Sequence, residues 1–363
     1  MSFLARTAFP PLPSLPRSYF LGHHKAGLQK MKQLLGSIDL VLECRDYRVP
    51  LTSRNPLFEK TLEGKQRMIV YTHRDLGGPE KDKKNEEIIR KWHAPVEIMF
   101  VANEGAKREG VKGLIETLRR FAEKEWKLVG HRLLIVGMPN VGKSTLLNAL
   151  RVQGIGKGKV ARTGAQPGVT RKIATGVKII PGEDDVLDGE EKGGRDREKG
   201  RYKGVGGGVY LVDTPGVFIP YVPDAEAMMK LALCGSVKDT IISPVMLADY
   251  LLYRINLVSP SLYSDYSAPT NDIVDLLEAI AKKTGRLAKG GKADTEATSL
   301  WMIQKWRTGH LGRFLLDEVD EMALEKSVVE LEGQAPSFNQ ARKAERERRR
   351  ERGRLRGGAG GAV

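Results

Sequence analysis

The stretch Leu133-Leu-Ile-Val-Gly-Met-Pro-Asn-Val-Gly-Lys-Ser144 decides the fold of this chain. Its four leading apolar residues predict a buried strand, and the pattern of Leu146, Leu147 and Leu150 beyond it predicts a helix. A glycine loop between a strand and a helix is the context in which Gly-x-x-x-x-Gly-Lys-Ser indicates a phosphate-binding loop. We therefore expect a nucleotide phosphate at the N-terminus of this helix, surrounded by backbone N–H groups.

Individual residues of this loop have distinct expected roles. Lys143 supplies positive charge toward the β- and γ-phosphates, which makes it a catalytic residue, and Ser144 offers its hydroxyl to Mg²⁺. The other nucleotide contacts predicted in the loop come from Asn140, Val141, Gly142 and Thr145.

A second motif, Asp213-Thr-Pro-Gly216, follows the apolar run Val209–Val212. Asp213 is placed to hold Mg²⁺ through water, and the N–H of Gly216 can meet a γ-phosphate, which makes Gly216 a catalytic candidate. Thr170 lies between the two motifs in a basic stretch where GTPases keep a threonine that ligates Mg²⁺ during the reaction. An ordinary loop threonine is the alternative for Thr170.

The base-reading motif precedes the other two motifs. No Asn-Lys-x-Asp follows an apolar run after Gly216, whereas the upstream strand in Met68-Ile-Val-Tyr-Thr-His-Arg-Asp75 leads into a variant of it. Asp75 would accept hydrogen bonds from guanine N1–H and the exocyclic amine. Thr72 and His73 are also predicted to contact the nucleotide, at the positions where the motif usually has Asn and Lys. The selectivity for guanine is therefore expected to be weaker than usual or to depend on other contacts. This motif order predicts a circularly permuted GTPase.

The residue after the second motif is Val217, where Ras-like enzymes place a glutamine that orients the attacking water. An apolar side chain cannot orient water. Hydrolysis is therefore expected to be slow, to use another residue, or to depend on a partner. His23 is one candidate for the catalytic role, and an ordinary surface or core histidine is the alternative.

Strands and helices alternate along the first part of the chain. The predicted strands are Asp39–Cys44, Met68–Thr72, Val96–Val101, Leu133–Val136, Thr175–Ile180 and Val209–Val212, with helices at Glu86–Trp92, Val111–Ala122 and Ser144–Leu150 between them. The later segments Ala225–Cys234, Pro244–Tyr253, Asp272–Thr284 and Leu300–Leu316 are predicted to be helical. The pattern predicts an α/β P-loop GTPase domain with a mainly parallel sheet, followed by a small all-helical domain.

Composition divides the chain further. We expect a GTPase domain at 18–224, containing a solvated insertion at 183–208, then a helical domain at 225–325 and a basic, disordered tail at 326–363. Residues 1–17 precede the first acidic residue, Asp39, and form a candidate mitochondrial transit segment. A merely disordered basic N-terminus is the alternative for 1–17.

The net charge of +15 favours a polyanionic partner, with nucleic acid ahead of an anionic membrane surface. In the helical domain, Lys305, Arg307 and Arg313 interleave with aromatic residues, a combination that suits folded RNA. Those aromatic residues are Trp301, Trp306 and Phe314, and an amphipathic helix with aromatic core residues is the alternative. The two cysteines, Cys44 and Cys234, are expected to be structural thiols, because two are too few for a metal cage.

From 18 to 319 these motifs together resemble the circularly permuted ribosome-assembly GTPases of the YlqF/YawG type, including mitochondrial ribosome-associated ones. The resemblance rests on Leu21-Gly-His-His24, Asp46-Tyr-Arg-Val-Pro50 and Ser53-Arg-Asn-Pro56, which follow the family's order. Thr72-His73 departs from the family's Asn-Lys, and Val101-Ala102-Asn103 departs from its second base-contacting loop.

The resemblance implies a GTP hydrolase that assembles the mitochondrial large ribosomal subunit, binds its rRNA and proteins, and is a monomer off the ribosome. It makes His23 the stand-in for the missing glutamine, with Mg²⁺ as cofactor and K⁺ as a second ion held by Asn140. The expected location is the mitochondrial matrix, with peripheral contact to the inner membrane. Three alternatives stay open. They are a nucleotide-gated RNA-binding module with negligible catalysis, a membrane-surface GTPase that uses the arginine-rich tail and, as a minor one, the use of ATP instead of GTP.

Overall fold

The protein is described by a computed structural model that covers residues 3–11, 29, 31–55, 61–78, 83–102, 110–158, 176–185, 204–214, 216, 225–326 and 328. A six-stranded sheet forms its centre. The strands are β1 (Leu40–Asp46), β2 (Arg67–Thr72), β3 (Glu97–Phe100), β4 (His131–Gly137), β5 (Val177–Ile180) and β6 (Val209–Asp213). Their order across the sheet is β3-β2-β1-β4-β6-β5.

Only β5 runs antiparallel to its neighbour within this sheet, and the other strand pairs are parallel. The strands next to the centre are buried on both faces, as a parallel sheet covered by helices requires. The predicted α/β fold with a mainly parallel sheet is confirmed.

Helices cover both faces of the sheet and continue beyond it. They are α1 (Lys83–His93), α2 (Val111–Lys124), α3 (Lys143–Ile155), α4 (Ala225–Leu233), α5 (Pro244–Val258), α6 (Ile273–Thr284) and α7 (Thr295–Arg307). Asp272 and Asp294 cap α6 and α7, because each side chain accepts hydrogen bonds from the first free backbone N–H groups. One hydrophobic core extends from the β4 and α3 side of the sheet through α4, α5 and α7.

The last predicted helix, Leu300–Leu316, differs from the structure in its bounds. α7 begins earlier and ends at Arg307, because Gly309 and Gly312 adopt positive φ angles of 76° and 91° that a helix does not allow. The chain then leaves the helical domain and returns to the sheet. We call residues 308–321 the return segment.

The return segment covers the β1 and β2 side of the sheet. Leu315 and Val319 pack against a cluster that includes Tyr47 and Tyr71. The N–H of Leu316 donates to Arg48 O at 2.8 Å. The predicted helical domain therefore contributes a segment to the half of the GTPase domain that carries the predicted base motif.

The predicted insertion at 183–208 has both of its ends inside the fold. Val205 N donates to Pro181 O at 3.1 Å, and Glu183 N donates to Gly206 O at 2.9 Å. These bonds continue the β5–β6 pairing beyond the strand ends, and residues 186–203 lie outside the described part. At the N-terminus, residues 3–11 of the predicted transit segment pack against α5.

Candidate functional site

The predicted nucleotide site lies at the carboxyl edge of the sheet. Asp46, Thr72, Gly137 and Asp213 are the last residues of β1, β2, β4 and β6, four strands that are parallel neighbours. Parallel strands bring their carboxyl ends to one edge, where α/β proteins bind their ligands. The displaced base motif and the phosphate motifs therefore meet in space although their order along the chain is permuted.

The phosphate loop joins β4 to α3 and holds Lys143 inside the protein. Lys143 Nζ donates to Met138 O at 2.7 Å and to Gly137 O at 3.2 Å. Burial lowers the pKa of Lys143, and the Asp213 carboxylate opposes that shift. A Cβ added at Gly137 would lie 2.5 Å from Cys44 O, so only glycine permits this approach of the loop to β1.

Ser144 and Asp213 form an oxygen pair suited to Mg²⁺. Ser144 Oγ donates to Asp213 Oδ2 at 2.8 Å. Asp213 Oδ1 is buried and makes no hydrogen bond within the described part of the chain. Burial raises the pKa of Asp213, and Lys143 opposes this shift. A hard divalent cation that prefers oxygen ligands would satisfy the buried carboxylate oxygen, so these two residues fit Mg²⁺.

Thr72 ties β2, which leads into the predicted base motif, to the phosphate loop. Its Oγ1 lies 2.6 Å from Val141 O and 3.1 Å from Arg45 O, and its side chain is fully buried. A hydroxyl has one proton, and the shorter distance assigns it to Val141 O. A threonine thus braces the loop at the position where the family's asparagine is expected.

His73 and Asp75 follow this strand on a tight turn. His73 has a positive φ of 56°, and its Nδ1 lies 3.4 Å from Asp46 Oδ2. Burial lowers the pKa of His73, and Asp46 opposes that shift. Asp75 lies in a 3-10 helix at Arg74–Leu76 and is half-buried. The turn therefore places the predicted guanine acceptor directly after β2.

Gly216 lies against the phosphate loop, since a Cβ added there would be 2.6 Å from both Cα and N of Pro139. Thr145 is in the first turn of α3, beside Ser144. His23, Thr170 and Val217 lie outside the described residues, as does Asn103 of the second base loop. Their predicted roles therefore stay predictions.

The phosphate loop also contacts the helical domain directly. Asn140 Nδ2 donates to Gly235 O at 2.8 Å, and Ser236 Oγ donates to Pro139 O at 3.0 Å. Asn140 has a positive φ of 57°, and its side chain reaches the residues after α4. Sequence patterns gave no sign of these contacts, because Gly235 and Ser236 follow a helix that carries no nucleotide motif.

The three basic residues predicted to bind RNA have different surroundings. Arg307 donates to Leu233 O and Ala232 O, both at 2.8 Å, and pairs with Asp239 at 2.7 Å. It therefore fixes the end of α4. Lys305 lies 5.5 Å above the ring of half-buried Trp301, and Arg313 is exposed. Among the aromatic residues, Trp306 and Phe314 are buried core residues and offer no stacking surface.

The structure adds two site residues that the motifs did not identify. Asp46 accepts from Arg48 Nη2 at 2.7 Å and contacts His73, while the Arg48 guanidinium lies 5.1 Å from the Trp306 ring. This buried pair joins the base motif to α7. In the sequence, the Asp-x-Arg spacing after a buried strand is the feature that could have predicted this pair. It enters the sequence analysis only as part of the resemblance.

Both thiols are buried and free. Burial raises the pKa of Cys44 to about 12, and it also raises the pKa of Cys234. No group of three metal-binding side chains of the His, Cys, Asp or Glu type occurs among the residues covered by the structure. The thiols are therefore protonated core residues, as expected from their number.

Comparison with known proteins also indicates a GTPase. Residues 132–283 match the family described as 50S ribosome-binding GTPase. Mitochondrial GTPase 1 of Schizosaccharomyces pombe is 34% identical over 89% of this chain and 96% of its own length. Mitochondrial ribosome-associated GTPase 1 of Bos taurus is 30% identical over 86% of this chain and 92% of its own length.

Among solved structures, GNP-bound YlqF from T. maritima is similar in fold. It aligns with a TM-score of 0.53 at 22% sequence identity, covering 80% of this chain and 97% of its own. The alignment thus includes the helical domain as well as the sheet.

Proposed function

This chain belongs to the mitochondrial GTPase 1 family of circularly permuted GTPases, and from that premise we propose that it assembles the mitochondrial large ribosomal subunit. It is a GTPase that converts GTP to GDP and phosphate. In the proposal it acts in the matrix as a monomer, binds rRNA and ribosomal proteins of the immature subunit, and leaves when GTP has been hydrolysed. Hydrolysis is slow alone and faster on the ribosome.

The residues of the site have separate tasks in this reaction. Lys143 would neutralise the β- and γ-phosphates. Ser144, Asp213 and Thr170 would hold Mg²⁺, which would offset negative charge on the phosphate oxygens. The N–H of Gly216 is proposed to donate to an oxygen of the γ-phosphate. His23 is proposed to orient the attacking water in place of the usual glutamine.

Asn140 is proposed to hold K⁺ beside the phosphates. Its amide nitrogen already donates to Gly235 O, so the amide oxygen is the atom that a cation would use. A monovalent cation there would add the positive charge that an arginine finger supplies in other GTPases.

The contact between the phosphate loop and the helical domain is the observation that carries the proposal. Pro139 and Asn140 touch the residues that follow α4 through the two hydrogen bonds to Ser236 and Gly235. Arg307 in turn fastens the same helix end to α7. A shift of the loop on nucleotide exchange would therefore act on the helix that carries the basic surface.

That basic surface surrounds Trp301 and supports an RNA partner. The Arg286 guanidinium lies 4.7 Å from the Trp301 ring centre, and Lys305 lies 5.5 Å from it. Tyr266 meets the same ring edge to face at 5.7 Å, and Lys283 lies above Tyr266. Cations next to partly exposed rings bind phosphates while the rings stack on unpaired bases. Lys305 stays in the proposed RNA surface together with exposed Arg313. Arg307 contributes only indirectly, because it holds α7 against the end of α4.

The proposal is tested by hydrolysis and co-sedimentation with mitochondrial large subunits. We expect faster GTP hydrolysis when subunits are added, and tighter association with a non-hydrolysable GTP analogue than with GDP. Ser236→Ala should reduce this difference, because it removes a bond between loop and helical domain, whereas Ser264→Ala, at an exposed hydroxyl, should not. Unchanged hydrolysis and equal, salt-insensitive association would contradict the proposal.

A second experiment tests the RNA surface. Lys305→Glu should weaken association with the subunits, and the loss should grow with salt because phosphate contacts release counterions. Lys112→Glu makes the same charge change at an exposed position of α2 and serves as the matched control. Equal weakening by both variants would mean that net charge alone drives association.

Peripheral contact with the inner membrane is a second candidate function. Trp126, Leu128 and Val129 are 57%, 70% and 87% exposed on the loop before β4, at the opposite end of the sheet from the nucleotide site. Within the described residues, no helix has the length and apolar character to span a bilayer. Flotation with cardiolipin-containing vesicles tests the surface contact, and Leu128→Ser should weaken it. Deletion of 341–363 separately tests the basic tail, and flotation unaffected by either change would refute the membrane role.

A further inference from the structure

Residues 3–11, part of the predicted transit segment, bind to the helical domain through a built set of contacts. Arg6 Nη2 donates to Asp249 Oδ1 at 2.7 Å, and Arg6 Nη1 donates to Asp249 Oδ2 at 3.3 Å. The guanidinium also lies 5.5 Å from the Phe9 ring centre and 5.9 Å from that of Tyr253. A forked ion pair between two aromatic faces is a geometry that arginine makes and lysine does not.

Phe9 supplies the apolar half of this contact. Its ring meets Tyr250 edge to face at 5.3 Å and lies 5.7 Å from the Tyr253 ring. Phe9 also packs against the hydrophobic core shared by the sheet and the helical domain. The segment is held by its main chain as well, because Asn271 Nδ2 donates to Leu4 O at 2.8 Å.

The face under the segment belongs to α5, which also contacts α4. Tyr250 is fully buried, and its hydroxyl donates to Glu226 of α4 at 2.9 Å. Removal of residues 3–11 would expose the Tyr250 and Tyr253 rings and leave the half-buried Asp249 carboxylate without Arg6. Such a removal would follow if 1–17 were a transit segment that is cleaved after import, so the contacts argue against cleavage of this segment.

We propose that residues 3–11 are a permanent intramolecular ligand of the helical domain and remain on the mature protein. Asp249, Tyr250 and Tyr253 form a recognition surface for an Arg-x-x-Phe sequence, and the chain's own N-terminus is its occupant. The inference concerns the helical domain alone and stands whether or not the protein assembles ribosomal subunits.

Limited trypsin digestion of the full-length chain tests the docking. Trypsin cleaves after arginine, so a docked Arg6 protects the Arg6–Thr7 bond, and cleavage after exposed Lys289 serves as the internal reference. Phe9→Ala should raise cleavage after Arg6 about tenfold or more, because proteolysis follows the open population. Asp249→Asn should act in the same direction. Leu4→Ala is the matched control, since that side chain is 82% exposed and only its carbonyl is used.

Mass spectrometry of the protein purified from mitochondria tests retention. We expect an N-terminal peptide that still contains Arg6 and Phe9. A mature chain that begins after Phe9 would overturn the proposal, and so would wild-type cleavage at Arg6 as fast as in the Phe9→Ala variant.

Discussion

The hydrogen bond from Thr72 to the phosphate loop gives a quantitative prediction. Thr72→Val keeps the shape of the side chain but deletes the hydroxyl that lies 2.6 Å from Val141 O. The carbonyl is then left in a buried place without this donor, which costs about 1–3 kcal/mol of unfolding free energy. Packing is preserved, so the loss belongs to the hydrogen bond.

The same change sets an upper limit on the loss of nucleotide affinity. Only the part of the bond energy that preorganises the loop before binding can appear in the affinity. At about 1.4 kcal/mol for each factor of ten, about 3 kcal/mol corresponds to roughly 140-fold, so Thr72→Val should weaken GTP binding by no more than about that factor.

Urea unfolding and titration with a fluorescent guanine nucleotide measure the two effects. Thr72→Ser is the matched control, because it keeps the hydroxyl and loses only the methyl group. The reasoning is refuted if Thr72→Val unfolds at the wild-type urea concentration and binds as tightly, or if Thr72→Ser loses more than Thr72→Val.

Three further predictions concern catalysis, the helical domain and pH. Lys143→Ala should abolish nucleotide binding in a titration. The His23→Ala variant should bind nucleotide normally but hydrolyse GTP more slowly over multiple turnovers. Normal turnover by the His23→Ala variant would remove His23 from the mechanism. Arg307→Ala should lower the unfolding free energy by about 2–3 kcal/mol, because carbonyls at the end of α4 lose a charged donor. Lys305→Ala, the control, should change the unfolding free energy by less than about 0.5 kcal/mol. Equal urea midpoints of the two variants would contradict the bracing role of Arg307. Burial alone would raise the pKa of Asp46, but Arg48 and His73 hold this pKa below its ordinary value of 3.8. The ionised Asp46 carboxylate therefore stabilises the folded protein fully above pH 3.8, and this stabilisation is lost as the pH falls through the lower pKa of the folded state. Asp46→Asn should therefore destabilise the protein at neutral pH and approach wild type in strong acid, and a pH-independent difference between their urea midpoints would oppose this assignment.

The phosphate-binding half of the site was predictable because each motif is contiguous and lies next to the strand that positions it. Lys143, Ser144 and Asp213 need only the local strand-loop geometry, and β2 likewise points to the displaced base motif. The Thr72 brace was not predictable, since it depends on how closely two strands that are distant in sequence approach one another.

The helical domain was predicted less completely because its contacts join distant residues. The sequence predicts that Arg307 is free to bind RNA, but in the structure it donates to the end of α4. The sequence likewise predicts that Trp306 stacks on RNA, but in the structure its ring is covered by Arg48. The end of α7 could have been recognised from Gly309 and Gly312, which follow Arg307 closely. Residues 3–11 show no periodicity that would indicate docking, so only tertiary structure reveals it.

The return segment has a consequence for the order in which the protein can mature during synthesis. Asp317 Oδ2 accepts from the N–H groups of Leu51 and Thr52 at 3.0 and 2.8 Å, although 266 and 265 residues separate the partners. The turn after β1 leaves the translating ribosome early, but its acceptor emerges only after α7 has been translated. Because such distant contacts form late, the base-reading half of the site cannot be finished on a partial chain. Competence to bind guanine then itself reports that the helical domain has been translated.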